Sequence, residues 1–176
     1  MRSEIRIVGS GGQGIILSGI LLTHSIGLYE GLEVAQTQSY GPESRGGACR
    51  AEVVVSDERV DYVKVEVPDY LITLNEVSFN KFIKDTRKET IVLVDSTFVD
   101  ADPSIHPNLY SIPATKMAEE QLKGYVANMV ALGAFSKIND IVTLDSMVKA
   151  VKGIVHPDFH SINIEALYLG NERMMS

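Results

Sequence analysis

One cysteine in 176 residues excludes a good deal of chemistry. Cys49 has no partner for a disulfide within the chain, and one thiol holds neither an iron–sulfur cluster nor a zinc ribbon. Any electron-carrying metal must therefore sit on another polypeptide. Positive charge is scarce as well: 16 Lys and Arg stand against 23 Asp and Glu, a formal net charge of −7. No local cluster of lysine or arginine reverses that balance, so a nucleic-acid partner is not expected. Long apolar runs are missing too, none approaching the ~18 residues a membrane-spanning helix needs. The opening MRSEIRIVGS passes from charge straight into a strand-like segment, with no cleavable apolar region. The expectation is a soluble, cytoplasmic protein without membrane insertion. There is no internal repeat, low-complexity tract or linker, and the length suits one full core, so residues 1–176 are expected to form a single domain.

What is present alternates between strand and helix. IRIVG (5–9) is short and β-branched, and a glycine cluster ends it. From Ile15 to Leu28 apolar residues fall at helical spacing over an arc too broad for a surface helix, which predicts a largely buried helix ending at Gly27 and Gly31. LEVAQTQ (32–38) reads as strand two and ACRAEVVVS as strand three, with VDYVKVEV (60–67) as its hairpin partner. DYLITLN (69–75) and TIVLVDS (90–96) are continuous apolar runs, the pattern of strands covered on both faces, and EVSFNKFIKDTRK between them reads as a crossover helix. LYSIP (109–113) gives one more strand, with Pro113 opening a helix over Ala114 to Lys123. Three further segments, VANMVALGAFSKI, TLDSMVKAVKGIV and PDFHSINIEALYL, are helical in pattern. The fold class that follows is α/β: a single-domain, mostly parallel, doubly wound (Rossmann-like) sheet with a C-terminal helical region.

Two loops carry the functional signal. GSGGQG, comprising Gly9, Ser10, Gly11, Gly12, Gln13 and Gly14, fits G-x-G-x-x-G and sits between a strand and a helix. Such a loop lets the backbone approach a phosphate at the unpaired amides of a helix start; equally, its glycines can serve only close strand–helix packing. A dinucleotide site also needs a carboxylate about 20 residues on to hold the ribose. The corresponding VAQTQSY has none, and no arginine for an NADP variant, which counts against a nicotinamide cofactor. The second loop, Tyr40, Gly41, Pro42, Glu43, Ser44, Arg45, Gly46 and Gly47, follows strand two and is expected to face the first. Arg45 offers a planar fork of donors for phosphate or carboxylate. In the alternative reading it pairs with Glu43, Asp95 or a neighbouring subunit's carboxylate and stiffens the loop.

Weaker candidates are Asn75 and Asp95–Ser96, which end apolar strands on the ligand edge and either line the cleft or cap the next segment. His156 and His160 have metal-ligand spacing without a zincin pattern, and a capping role for His156 is the simpler reading. Cys49 begins a buried-looking strand; Arg50 beside it would favour the thiolate, but no histidine is near in sequence. Neither a catalytic residue nor a metal ligand is assigned to this chain.

Together, GSGGQGIILSG, QSYGPESRGGACRAEVVVSD and DYLITLN closely resemble the gamma subunit of 2-oxoacid:ferredoxin oxidoreductases over nearly the whole chain, with GPESRGG most similar to the 2-oxoglutarate type. The resemblance implies a complex that decarboxylates a 2-oxoacid on thiamine diphosphate, passes electrons through [4Fe-4S] clusters to ferredoxin and leaves an acyl-coenzyme A. It places thiamine diphosphate and magnesium on alpha and beta subunits and the clusters on a ferredoxin-like delta subunit, and it associates the gamma domain with assembly and with closing over coenzyme A. This chain has no G-D-G…N diphosphate–magnesium motif. The residues 9–14, Tyr40, Gly41 and 43–47 are then the expected coenzyme A or partner contacts. The alternatives are a free-standing NAD(P)-binding dehydrogenase and a purely structural assembly subunit.

Overall fold

The computed structural model describes residues 1–41 and 48–174. The chain runs β1 (Arg2–Ser10), α1 (Ile15–His24), β2 (Glu33–Tyr40), β3 (Ala48–Ser56), β4 (Tyr70–Thr73), α2 (Glu76–Phe82), β5 (Ile91–Asp95), β6 (Leu109–Ile112), α3 (Ala114–Gln121), α4 (Ala127–Ile138), α5 (Leu144–Ile154) and α6 (His160–Arg173). The strands form one sheet in the order β2-β3-β1-β4-β5-β6. β1, β4, β5 and β6 are parallel neighbours, while β3 runs antiparallel to both β1 and β2. The α/β, mostly parallel architecture read from the alternating pattern is what the chain adopts.

The continuous apolar runs explain the central strands. In β4 all of Tyr70 to Thr73 are buried, because side chains alternate between two covered faces. Ile7, Ile72 and Leu93 point into the larger layer, shared with α1 and α3 to α6. Val8, Leu71, Val92 and Val94 point into the smaller one, closed by Phe79 and Phe82 of α2 and by Val99. The C-terminal helices interlock tightly: a Cβ on Gly133 of α4 would lie 1.9 Å from the Leu167 carbonyl oxygen, and one on Gly170 of α6 would lie 1.8 Å from that of Val130.

Three expectations are corrected. Residues 60–67 do not pair with β3: both of its edges are already occupied by β1 and β2. They lie against the sheet as an irregular segment in which Val65 is buried and its carbonyl accepts from Arg6 Nη2 at 2.7 Å. The first helix continues through a π-helical turn, Ser25–Glu30, and ends at Gly31 with φ +70°; Gly27 lies inside it, where Val34 leaves little room for a side chain. Nor is α1 as buried as its apolar arc predicts. Ile16 and Ile20 are half-buried, while Leu17 and Leu28 are 36% and 67% exposed. The helix covers β3 and β2 at the end of the sheet, where no described helix flanks its outer side.

Candidate functional site

Gly9 to Gly14 connect the carboxyl end of β1 to α1, at the rim where an open α/β sheet receives ligands. The two readings of the glycines divide by position. Gly9 and Gly14 are needed for packing: a Cβ on Gly9 would meet Gln13 Oε1 at 2.7 Å and Ile15 Cδ1 at 2.8 Å, and one on Gly14 would meet Asn128 Nδ2 at 2.4 Å. Gly14 also has φ +74°, which favours glycine. Among the described residues nothing lies within 4 Å of a Cβ built on Gly11 or Gly12, so their backbone is bare on that side. Among the described residues no side chain caps α1, and no acidic residue sits in its first turn. Its first amides and the positive end of its dipole face the rim.

Gln13 gives the loop its shape. Its Oε1 accepts from the Ser10 amide at 2.8 Å and its Nε2 donates to the Leu74 carbonyl at 2.9 Å, tying the loop to the end of β4. Asn75 donates to Gln13 Oε1 at 3.4 Å, and its own Oδ1 accepts from Ser78 N at 2.8 Å, capping α2. It thus both lines the rim and caps, the two roles left open for it. Asp95 caps and does not line: it is 1% exposed, and it accepts from Thr97 N, Thr115 N and Thr115 Oγ1 at 3.0, 3.1 and 2.6 Å. That locks the end of β5 to the start of α3.

Two adjoining hollows open at this rim. One, of about 160 Å³, is lined by Gly12, Gln13, Leu74, Phe98, Thr115, Gly124, Tyr125 and Ala127. The other, of about 360 Å³, is lined by Ser10, Gln13, Asn75, Glu76, Val77 and Phe98. Phe98 and Tyr125 are 48% and 61% exposed. The walls therefore offer amides, neutral polar groups and aromatic faces, with Glu76, in the second hollow, as the one charged residue among the described residues that line the two. Sequence reading missed Phe98, Thr115, Val77 and Tyr125. Phe98 and Tyr125 lie in turns, where periodicity carries no signal; Val77 and Thr115 sit in the first turns of α2 and α3, where helical spacing says nothing of a site, and only the folded rim brings the four together.

The second loop enters and leaves at the same rim. Ser10 pairs with Ala48, Gly9 and Tyr40 both pair with Cys49, and Gly41 N donates to Ala48 O at 2.8 Å. Tyr40 is 68% exposed. Pro42, Glu43, Ser44, Arg45, Gly46 and Gly47 lie outside the described residues. The Asp95 suggested as a partner for Arg45 already has three donors. The strand order also counts against a dinucleotide site beyond the missing carboxylate: β3 separates β2 from β1, so the end of β2 is not beside the glycine loop.

The remaining candidates have structural tasks. His156 Nδ1 accepts from Asp158 N at 3.2 Å, capping the turn before α6, and His160 Nε2 is 2.6 Å from the Val155 carbonyl oxygen. Cys49 is buried; desolvation pushes its thiol up from the ordinary range and outweighs the hydrogen bond from the Arg50 backbone, which acts to lower it. A larger cleft of about 710 Å³ opens at the opposite end of the sheet, beside Tyr70 and Asp140. There the Tyr70 hydroxyl donates to Asp140 at 2.6 Å, and burial together with that carboxylate raises the phenol's pKa well above its ordinary value. That proton is held, not offered. Among the described residues no helix is long and apolar enough to cross a membrane.

Comparison with known proteins bears on the fold and the family. A subunit of 2-oxoglutarate synthase, KorC, from Methanocaldococcus jannaschii is 44% identical over 175 residues, 98% of this chain and 94% of its own. The gamma subunit of a keto/oxoacid ferredoxin oxidoreductase from Geobacter sulfurreducens superposes with a TM-score of 0.87 at 34% identity, covering 99% of this chain and 97% of that one. The 2-oxoglutarate:ferredoxin oxidoreductase of Magnetococcus marinus, solved with 2-oxoglutarate, coenzyme A and succinyl-CoA bound, superposes with a TM-score of 0.85 at 25% identity. The match covers 98% of this chain and 31% of that longer one. Residues 4–172 match the family model described as pyruvate ferredoxin/flavodoxin oxidoreductase, and the chain belongs to that family.

Proposed function

We propose that this chain is the gamma subunit of a 2-oxoglutarate:ferredoxin oxidoreductase, a single gamma domain over residues 1–176 that acts in the cytoplasm and supports coenzyme A-dependent oxidative decarboxylation without performing it alone. One cysteine cannot ligate a [4Fe-4S] cluster, and no group of three metal-binding side chains occurs among the described residues. In this reading, which follows the family resemblance, thiamine diphosphate, magnesium and the clusters are assigned to alpha, beta and delta subunits, with ferredoxin as the electron acceptor of the whole.

The observation that carries this reading is the rim itself: a glycine loop with bare backbone at Gly11 and Gly12, opening on hollows walled by exposed Phe98 and Tyr125, where the β2–β3 connection also departs. These parts suit the chemistry of coenzyme A. Amides at the start of α1 receive phosphate, and aromatic faces receive an apolar or heteroaromatic portion. The described lining supplies no cation, so Arg45 is the residue of this chain proposed to answer the phosphate charge. The chain's task is to bind and orient one end of the cofactor and to exclude water at the mouth of a site whose reacting atoms lie on its partners.

The test uses the assembled complex. Arg45→Ala and Tyr125→Ala are each expected to raise the KM for coenzyme A about tenfold or more, with little change in the KM for 2-oxoglutarate. The isolated chain is expected to show no 2-oxoacid oxidation. Unchanged coenzyme A kinetics in both variants, with normal assembly, would reject the cofactor role and leave a purely structural subunit.

A further inference from the structure

We propose that β2 is a docking edge for a second copy of this chain, joining two sheets through antiparallel β2–β2 pairing about a two-fold axis at Thr37. β2 forms the outer edge of the sheet and, among the described residues, pairs with β3 alone. It is eight residues long, against four for the opposite edge, β6. Natural edges are usually blunted by lysine, proline, a bulge or shortness. β2 has none of the first two, pairs with β3 without a break in register, and carries its one charge, Glu33, at its start.

The hydrogen-bond parity fits such a seam. The Gly41 amide donates to Ala48, which makes that pair a hydrogen-bonded one. By alternation Ser39, Thr37 and Ala35 bond inward to β3, and Val34, Gln36, Gln38 and Tyr40 turn their amides and carbonyls outward. The sequence around Thr37 is nearly palindromic in chemistry, V-A-Q-T-Q-S-Y. With Thr37 opposite its own copy, Gln36 meets Gln38 of the second copy, Val34 meets Tyr40, and Ala35 meets Ser39. The outward-turned residues become the hydrogen-bonded pairs, each exchanging two bonds, as the parity requires. Amide faces amide, aliphatic faces aromatic, small faces small, and Glu33 meets Gly41, not another carboxylate. A chain of net charge −7 resists its own copy at long range, so a self-contact needs an uncharged seam, and this strand supplies one.

The under-covered helix is the second observation. Thr23 Oγ1 lies 3.5 Å from Gln36 Oε1, and a Cβ on Gly27 would lie 3.0 Å from Val34 Cγ2, so that flank of α1 borders β2. Ile16 and Ile20, both half-buried, share the flank at helical spacing. A two-fold axis normal to the sheet keeps both α1 helices on one face and turns these flanks toward each other. This inference stands apart from the coenzyme A reading and uses none of it.

The experiment is disulfide trapping and sedimentation with the full chain, alone and in the assembled complex. Thr37→Cys should cross-link to itself under mild oxidation, because a non-hydrogen-bonded antiparallel pair places its Cα atoms about 4.5 Å apart, within disulfide reach. Ser39→Cys, which faces Ala35, should not, and buried Cys49 serves as the internal blank. Gln38→Pro removes an outward amide without touching the β3 ladder. It should weaken self-association about 30-fold or more while leaving the circular dichroism spectrum unchanged. Wild-type chain that stays monomeric at high concentration, with no Thr37→Cys cross-link in the chain or the complex, would overturn the proposal. So would equal cross-linking of both cysteine variants. Loss of a different subunit from the Gln38→Pro complex, without self-linking by Thr37→Cys, would assign the edge to that subunit and likewise overturn it.

Discussion

Gly133 and Gly11 are the same residue type in opposite circumstances. At Gly133 and its counterpart Gly170, helices α4 and α6 approach until a single methyl would overlap backbone carbonyls, whereas at Gly11 a methyl would meet none of the described residues. The first pair is required by the contact between two helices; at Gly11 no packing among the described residues requires glycine, and the proposed coenzyme A contact is what would use its bare backbone. A glycine in a sequence does not announce which of these it is; the distance from its absent Cβ to the nearest atom does.

Substitution to alanine makes that contrast measurable. Gly133→Ala or Gly170→Ala should be the most damaging, since rigid backbone has to move: a loss of about 3 kcal/mol or more, read as a fall in Tm of roughly 6–12 °C. A loss under about 1 kcal/mol would mean the α4–α6 contact is looser than its geometry implies. Gly14→Ala combines a positive φ with a clash against the Asn128 amide, which is a side chain able to yield. It should cost about 1–3 kcal/mol in denaturant unfolding. Asn75→Ala removes the cap of α2 and one of the groups held by Gln13. About 1 kcal/mol is expected, together with faster hydrogen exchange at Ser78. Gly11→Ala should leave stability within about 0.5 kcal/mol and yet raise the KM for coenzyme A in the complex. If it destabilised the fold as Gly14→Ala does, the division between packing glycines and bare ones would fail.

The strongly patterned parts of the fold were legible because one physical signal was enough for each. Uninterrupted apolar runs at 70–73 and 91–95 mean strands buried on both faces, and the i, i+3, i+4 spacing of Leu144, Met147 and Val148 means a helix with one buried side. Residues 60–67 misled because their alternation is a local property, whereas pairing requires a free edge, and β1 had already taken the one beside β3. Local sequence cannot see which edges remain. At the rim, the glycine loop and the end of β2 were correctly placed on one side of the sheet, since a strand–helix–strand connection returns the second strand in the direction of the first. Phe98 and Tyr125 were not found, because what makes them candidates is exposure beside the loop, a relation between residues far apart in the chain. The NAD reading fails on strand order, which becomes visible only when β3 is seen between β1 and β2.

The glycine loop is shaped by a group with no acidity of its own, the side chain of Gln13. The clasp that holds the glycine loop to Ser10 and Leu74 is a carboxamide, and Asn75, which steadies it, is another. Neither group gains or loses a proton anywhere in the range where the protein stays folded. The cradle should therefore keep one contour from mildly acid to mildly alkaline solution, and any titration seen in cofactor capture must originate in the cofactor's own phosphates or in ionisable groups that meet them, not in the loop that receives them.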